Sequence, residues 1–163
     1  MTSLAVTYTD SEQQQLRFRL RATMGASREA RRAIEEVWPL ADHRDLQFIT
    51  QLLAAELVSN VVRHSGLSAG EKLELVIDYD DQTVRVEVCD PGQGFNPLLL
   101  LHTHRVNGAK YRGIALVDAL ADRWGFLNHD HNCHVWFELD LTPGRRPWNG
   151  RQPCGDTGRN QKP

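Results

Sequence analysis

The segment from Asp45 to Gly66 constrains the fold of this 163-residue chain more than any other part of the sequence. Apolar residues recur in it at spacings of three and four positions and form one stripe: Leu46, Ile49, Leu53, Leu57 and Val61. This periodicity predicts a long amphipathic helix that ends near Gly66, because glycine is common just past helix ends. The apolar stripe then requires a second layer of structure to cover it.

Strand and helix patterns surround this helix. Period-two alternation predicts strands over residues 16–20, 73–79, 83–89, 124–127 and 135–141, and further helices are predicted over 27–38 and 113–121. Hairpin links between neighbouring strands favour a mixed, mostly antiparallel sheet of about five strands. We therefore predict an α/β (α+β) two-layer sandwich with three main helices on one face of the sheet.

Composition predicts a central domain between two different ends. We place the domain at residues 14–141, after a flexible N-terminus over 1–13 and before a basic, disordered tail over 142–163. The tail carries a net charge of +4 and the rest of the chain −6, and the tail has few aliphatic residues with which to form a core. We interpret the tail as solvated rather than as an arm that binds an anionic partner.

The overall charge and hydropathy argue against two classes of protein. A net charge of −2 is unlike that of a dedicated DNA-binding protein, which is usually basic. No apolar run is long enough to cross a bilayer, and the polar first residues do not resemble a signal sequence. We therefore expect a cytoplasmic protein that binds neither DNA directly nor membranes.

Cysteine and histidine spacing gives weak support for a metal site. The three cysteines, Cys89, Cys133 and Cys154, show no Cys-x-x-Cys spacing, which argues against a disulfide framework and a cysteine zinc site. Histidines also crowd one predicted turn beside Cys133 and occur in the preceding loop: His129, His131, His134, His102 and His104. Although imidazole and thiolate are usual zinc ligands, we interpret this turn as solvated rather than as a metal site.

A polar stripe accompanies the apolar one on the long helix. Glu56, Asn60 and His64 are each four positions apart, so they drift by only about 40° per step and share one face. The carboxylate can accept a proton, and the amide oxygen can ligate a hard cation such as Mg²⁺. Arg63 adds a positive charge compatible with phosphate. A simply solvated helix face would show the same pattern.

An aspartate followed by glycines forms the second candidate cluster. Asp90 ends a predicted strand, and Gly92 and Gly94 follow it. This arrangement combines a fixed hydrogen-bond acceptor with a turn that allows close approach of a ligand. Asp-Pro-Gly is also good chemistry for an ordinary turn.

The third cluster follows a long predicted loop over residues 90–111. Arg112 and Gly113 precede a short helix that contains Ile114 and Leu116. Unpaired N–H groups at a helix start attract phosphate, although an ordinary helix start would look the same.

Together and in this order, the three clusters resemble the GHKL (Bergerat) ATPase family. Residues 55–65 are similar to its N box, residues 90–94 to its D-x-G-x-G box, and residues 113–125 to its second glycine box and the helix behind it. The combination is specific, although each box alone is not. Within the family the chain looks most like RsbW-type anti-sigma factor serine/threonine kinases and their small single-domain relatives in actinobacteria. The resemblance implies a Bergerat, histidine-kinase-like ATPase fold.

The resemblance also implies ATP and Mg²⁺ as cofactors and a role for each matched residue. Asn60 would hold Mg²⁺, and Glu56 would be the catalytic base that deprotonates an attacking hydroxyl. Asp90 would accept a hydrogen bond from the adenine amino group. The other implied ATP-binding residues are Arg63, His64, Gly92, Gly94, Arg112, Gly113, Ile114 and Leu116.

In such a family the hydroxyl belongs to a STAS-type anti-sigma factor antagonist, and the kinase also binds a sigma factor. The resemblance therefore implies a protein kinase that acts in a partner switch, with a homodimer as a further option.

Tyr111 stands where the family usually has the first glycine of its second box, and His134 where the last strand usually has threonine or serine. These departures keep open an alternative, a nucleotide-gated protein-binding module with little or no kinase activity. A detached catalytic half of a sensor kinase is less favoured, since no phosphoacceptor helix precedes residue 14.

Overall fold

The computed structural model describes most of the predicted domain and short parts of both ends. The described residues are 3–4, 8–10, 13–38, 43–100, 113–129, 132–142 and 159–160.

Antiparallel pairing joins the described strands into one sheet. Five strands form its body: β3 (Gln13–Arg21), β4 (Lys72–Tyr79), β5 (Thr83–Asp90), β6 (Arg123–His129) and β7 (Asn132–Asp140). Three short strands extend it: β1 (Ser3–Leu4), β2 (Tyr8–Asp10) and β8 (Arg159–Asn160). The order across the sheet is β1-β3-β4-β5-β7-β6-β8, and β2 also pairs with β3.

Helices pack against one face of this sheet. They are α1 (Ala26–Val37), α2 (Arg44–His64) and α3 (Ile114–Leu120), and residues 97–100 are also helical. The apolar stripe of α2 behaves as predicted, since Leu53, Leu57 and Val61 are fully buried and Leu46 and Ile49 are partly buried. Among the described residues, no helix is both long and apolar enough to cross a bilayer.

The hydrophobic core lies between the helices and the facing side of the sheet. Because strand side chains alternate between faces, every second residue of β5, including Val84, Val86 and Val88, enters this core. Leu75 on β4 and Phe137 on β7 lie beside them in the sheet and are also fully buried. Burial of this continuous apolar surface is the main source of the domain's stability.

The predicted fold is confirmed, and the structure refines it. Each predicted strand and helix is present, with ends that differ by up to three residues. Every strand pairing within the described ranges is antiparallel, so no parallel pair of the predicted mixed sheet occurs there. Within the predicted loop over 90–111, Asp90 still pairs with Cys133 and residues 97–100 are helical, while residues 101–111 lie outside the described part of the chain.

Short strands occur within both predicted ends. β1 and β2 lie within residues 1–13 and pair with β3, while β8 lies within residues 142–163 and pairs with β6. Most of the tail lies outside the described residues. The domain limits at residues 14 and 141 therefore stay a prediction.

Candidate functional site

The candidate site lies where the C-terminal half of α2 meets the end of β5 and the start of α3. α2 contributes the predicted polar stripe. Asn60 is only 6% exposed, Glu56 is half-buried, and Arg63 and His64 are exposed. The stripe is therefore partly or fully buried at Glu56 and Asn60 and reaches the surface only at its end, which a simply solvated helix face would not do.

Asp90 is the most deeply buried acidic group of the site. It is 1% exposed at the end of β5, and its Oδ1 accepts a hydrogen bond of 2.8 Å from the Gly92 N–H. Burial raises the pKa of Asp90 above its usual range, and contacts with Gly92, Ser65 and Cys133 offset this only partly. The Asp90 carboxylate thus lies in a place where a donor from a ligand would stabilise its charge.

The turn after Asp90 is attached to the end of α2. The Gln93 N–H donates to the Ser65 carbonyl at 3.0 Å, and the Ser65 hydroxyl donates to the Val61 carbonyl at 2.6 Å. Gly94 adopts a φ of 71°, which an L side chain would disfavour. These contacts hold the Asp90 carboxylate beside the last turn of α2.

The turn after Asp90 has no room for a side chain at Gly92. A Cβ at this position would lie 2.7 Å from Asp90 Oδ1 and closer still to the Ser65 carbonyl oxygen. Because Ser65 contributes backbone there, relief would require the turn and helix end to separate. The predicted importance of this glycine therefore has a steric cause.

Replacing Gly92 with alanine should lower the free energy of unfolding by about 3 kcal/mol, the upper part of the range for overpacking. The matched control is Gly25→Ala, because its Cβ would lie 3.5 Å from the nearest atom, Thr23 Oγ1. We expect that control to stay within about 1 kcal/mol of the wild type. Urea unfolding followed by circular dichroism measures both, and equal stability of the two variants would contradict the steric role of Gly92.

Gly113 brings the third predicted cluster against the first. Its N–H donates to Glu56 Oε2 at 3.1 Å, and a Cβ on it would lie 3.0 Å from Asn60 Oδ1. Its φ of 65° also favours glycine. Behind it, Ile114 is buried and Leu116 is half-buried in α3. The structure thus joins Glu56, Asn60 and Gly113, although 57 positions separate Glu56 from Gly113.

Two buried polar atoms of the site lack hydrogen-bond partners among the described residues. They are Asp90 Oδ2 and Asn60 Nδ2. A buried polar group without a partner costs about 1–3 kcal/mol, so each one calls for an explanation, such as a bound ligand. Ser65 follows Asn60 by five residues, about 7.5 Å along the helix axis, so α2 connects an amide end of the site with a carboxylate end.

The remaining predicted residues divide into those near the site and those outside the described part of the chain. His64 lies at the exposed end of α2, where its ring centre is 5.9 Å from that of Phe95. Arg63 is exposed, and no described contact joins it to the other site residues. Arg112 and Tyr111 lie outside the described residues, as do His102 and His104.

Sequence reasoning did not single out Ser65, and it did not identify which residue of the last strand lies beside Asp90. The register pairs Asp90 with Cys133, so Cys133 faces the site, whereas His134 faces the opposite side of the sheet. Cys133 is fully buried, and burial raises the pKa of its thiol to about 12. The residue of this strand that lies beside Asp90 is therefore Cys133, and His134 lies beside Cys89. Strand alternation could have identified Cys133 as the neighbour of Asp90 only if the pairing register of β5 with β7 had been known.

Comparison with known proteins supports the fold. A sequence profile of the histidine kinase-like ATPase domain family matches residues 18–138. Among solved structures, the chain is similar to the crystal structure of the RsbU and RsbW domains of Rv1364c from Mycobacterium tuberculosis, with a TM-score of 0.57 and 17% identity. The match covers 76% of this chain but 31% of that one, so it shows a shared fold over part of a longer protein. No curated protein matches the sequence.

Proposed function

Because the chain belongs to the histidine kinase-like ATPase domain family, we propose that it is an ATP- and Mg²⁺-dependent serine/threonine protein kinase. Membership of this family implies ATP binding. The protein substrate we propose is a STAS-type anti-sigma factor antagonist, and we propose that the unphosphorylated antagonist competes with a sigma factor for this protein in the cytoplasm. The observation that carries the proposal is the pair of unpartnered buried atoms, Asp90 Oδ2 and Asn60 Nδ2.

The carboxylate end of the site suits an adenine ring. Asp90 Oδ2 is an acceptor without a donor, and the exocyclic amino group of adenine is a donor. A hydrogen bond to that oxygen would stabilise the ionised form of Asp90 and remove the cost of its burial. Gly92 supports this role because a Cβ at this position would lie 2.7 Å from Asp90 Oδ1 and would displace the carboxylate.

The amide end suits a metal-bound phosphate chain. Asn60 is buried, and its unpartnered Nδ2 is a donor that a phosphate oxygen can accept from. Its side-chain oxygen is a ligand of the kind Mg²⁺ prefers. When bound, Mg²⁺ neutralises negative charge on the phosphates. Asn60 would hold the ion. The exposed Arg63, together with Arg112 from outside the described residues, would supply positive charge to the phosphates.

Glu56 is the candidate for moving the proton of the attacking hydroxyl. It is half-buried, lies one helical turn before Asn60, and is held by the Gly113 N–H. A carboxylate at this position would orient a serine or threonine hydroxyl and accept its proton as the phosphoryl group is transferred. The Gly113 contact uses Oε2 and leaves Oε1 for that hydroxyl.

The similarity to a structure that contains an RsbW domain supports the fold of the proposal. Its partners, an antagonist and a sigma factor, rest on the resemblance of the three boxes. We also propose that the protein can form a homodimer. None of these partners is needed for ATP binding itself, so binding and transfer are tested separately.

The test is transfer of labelled phosphate from ATP to a purified antagonist encoded by the same organism. We expect Mg²⁺-dependent labelling of one serine or threonine, identified by mass spectrometry, and loss of antagonist binding after phosphorylation. Calorimetry with ATP and Mg²⁺ is run in parallel. Absence of labelling by a protein that binds ATP would contradict the kinase assignment.

A second candidate function, a nucleotide-gated protein-binding module, is favoured by Tyr111. This residue replaces the first glycine expected in the second glycine box. A module of this kind would bind ATP and change its affinity for a protein partner without transferring phosphate. ATP-dependent capture of a sigma factor without labelling of any antagonist would support this candidate over the kinase.

A further inference from the structure

The face of the sheet opposite the helices carries a cluster of side chains that the candidate ATP site does not use. Cys89 on β5 is the register partner of His134 on β7, and Glu87 lies two residues before Cys89 on the same face. Since neighbouring strand residues point to opposite faces, Asp90 and Cys133 face the helices while this cluster faces away. The cluster therefore lies directly behind the candidate ATP site.

The ligand atoms of these three side chains converge. Cys89 Sγ lies 3.2 Å from His134 Nδ1, His134 Nδ1 lies 2.5 Å from Glu87 Oε1, and Cys89 Sγ lies 3.6 Å from that same oxygen. Together they offer one sulfur, one imidazole nitrogen and one carboxylate oxygen within 4.8 Å of one another. This donor set is typical of zinc.

We propose that Glu87, Cys89 and His134 bind a Zn²⁺ ion on this face of the sheet. Zinc bonds of about 2.0–2.3 Å in a tetrahedron separate ligand atoms by about 3.3–3.6 Å. The two distances from Cys89 Sγ, 3.2 and 3.6 Å, are close to those values. The distance between the Glu87 and His134 atoms must increase by about 1 Å, which a small rotation of the carboxylate provides.

Neighbouring side chains already hold the carboxylate in place. Arg85 Nη2 lies 3.6 Å from Glu87 Oε2, which leaves Oε1 to face the sulfur and the imidazole. Arg85 is itself fixed, since its Nη1 donates to Glu138 at 2.7 Å and its guanidinium lies 4.0 Å from the centre of the Trp136 ring. Outer contacts of this kind orient metal ligands.

Burial and the Glu87 carboxylate raise the pKa of the Cys89 thiol well above its usual range. Cys89 is therefore not a low-pKa nucleophile, and without a cation its S–H points to Glu87. Binding breaks this S–H bond, forms an S–Zn bond and releases the proton to solvent. The side chains of Glu87 and His134 are 10% and 15% exposed, so the proposed site borders solvent. Water would take the fourth position around the ion.

The experiment measures metal binding by the metal-free full chain. We expect one Zn²⁺ per chain in competition with a chromophoric chelator, and a rise in melting temperature on addition of Zn²⁺. Co²⁺ should bind with an absorption band from thiolate-to-metal charge transfer. Cys89→Ser, His134→Gln and Glu87→Gln should each weaken Zn²⁺ binding by at least about tenfold, the cost seen even for outer contacts.

Cys154→Ser and His43→Gln are the matched controls, because they remove a thiol and an imidazole outside the proposed site. Both should bind Zn²⁺ like the wild type. Circular dichroism checks that each variant is folded, and the Co²⁺ band of the unaltered protein provides evidence that does not depend on any variant. A wild type without that band, or equal Zn²⁺ affinity in the wild type and Cys89→Ser, would overturn the proposal. Neither result would bear on ATP binding.

Discussion

Replacing Glu56 with glutamine should slow phosphoryl transfer by about 100- to 10,000-fold, the usual contribution of a positioned general base. The glutamine side-chain oxygen can still accept the Gly113 N–H that Glu56 Oε2 accepts now. The start of α3 and the shape of the site should therefore be preserved. Only the ability to take up a proton is removed, so the affinity for ATP should change little.

Single-turnover transfer to the antagonist measures the rate, and calorimetry measures ATP binding. Glu36→Gln is the matched control, because it makes the same chemical change at an exposed position of α1. Its transfer rate should equal that of the wild type. If Glu56→Gln transfers phosphate at the wild-type rate, Glu56 is not the base. If the Glu56→Gln variant loses ATP binding together with transfer, the main role of Glu56 is to hold Gly113.

Replacing Asp90 with asparagine should weaken ATP binding by about 10- to 100-fold while making the free protein more stable. The loss corresponds to a hydrogen bond with a charged acceptor, about 1.5–3 kcal/mol. The gain arises because Asp90 Oδ2 is buried without a partner among the described residues, and removing its charge should add about 1 kcal/mol to the free energy of unfolding. Opposite changes in affinity and stability are the signature of a residue kept for binding.

The stability gain of Asp90→Asn should depend on pH in a defined direction. Burial raises the pKa of Asp90 in the folded state above its ordinary value of 3.8. A carboxyl group with a raised pKa in the folded state stabilises that state at pH values below its pKa in the unfolded state. This stabilisation is lost as the pH rises through the pKa of the folded state. The advantage of the variant should therefore be greatest near about pH 7 and shrink toward about pH 4. Urea unfolding at several pH values measures it, and an advantage that grows on acidification would contradict the buried-charge argument.

Much of the candidate site could be predicted because its chemistry lies in short segments. Glu56 and Asn60 share a helix, so their common face follows from helix geometry alone. Asp90 and Gly92 lie in one turn, and their proximity needs no knowledge of distant elements. Local patterns could not show which residue of β7 lies beside Asp90. A one-residue difference in register places Cys133 at the site and His134 on the other face.

The sequence by itself determined the kind and order of the elements, because periodicity and glycine placement are properties of neighbouring residues. It also located both ends of the candidate ATP site. Only the tertiary structure decided which distant residues meet. Cys89 and His134 are 45 positions apart, and Glu56 and Gly113 are 57 apart. Their contacts depend on the pairing register of β5 with β7 and on how α2 packs against α3. Both follow from burying one continuous core rather than from any local pattern.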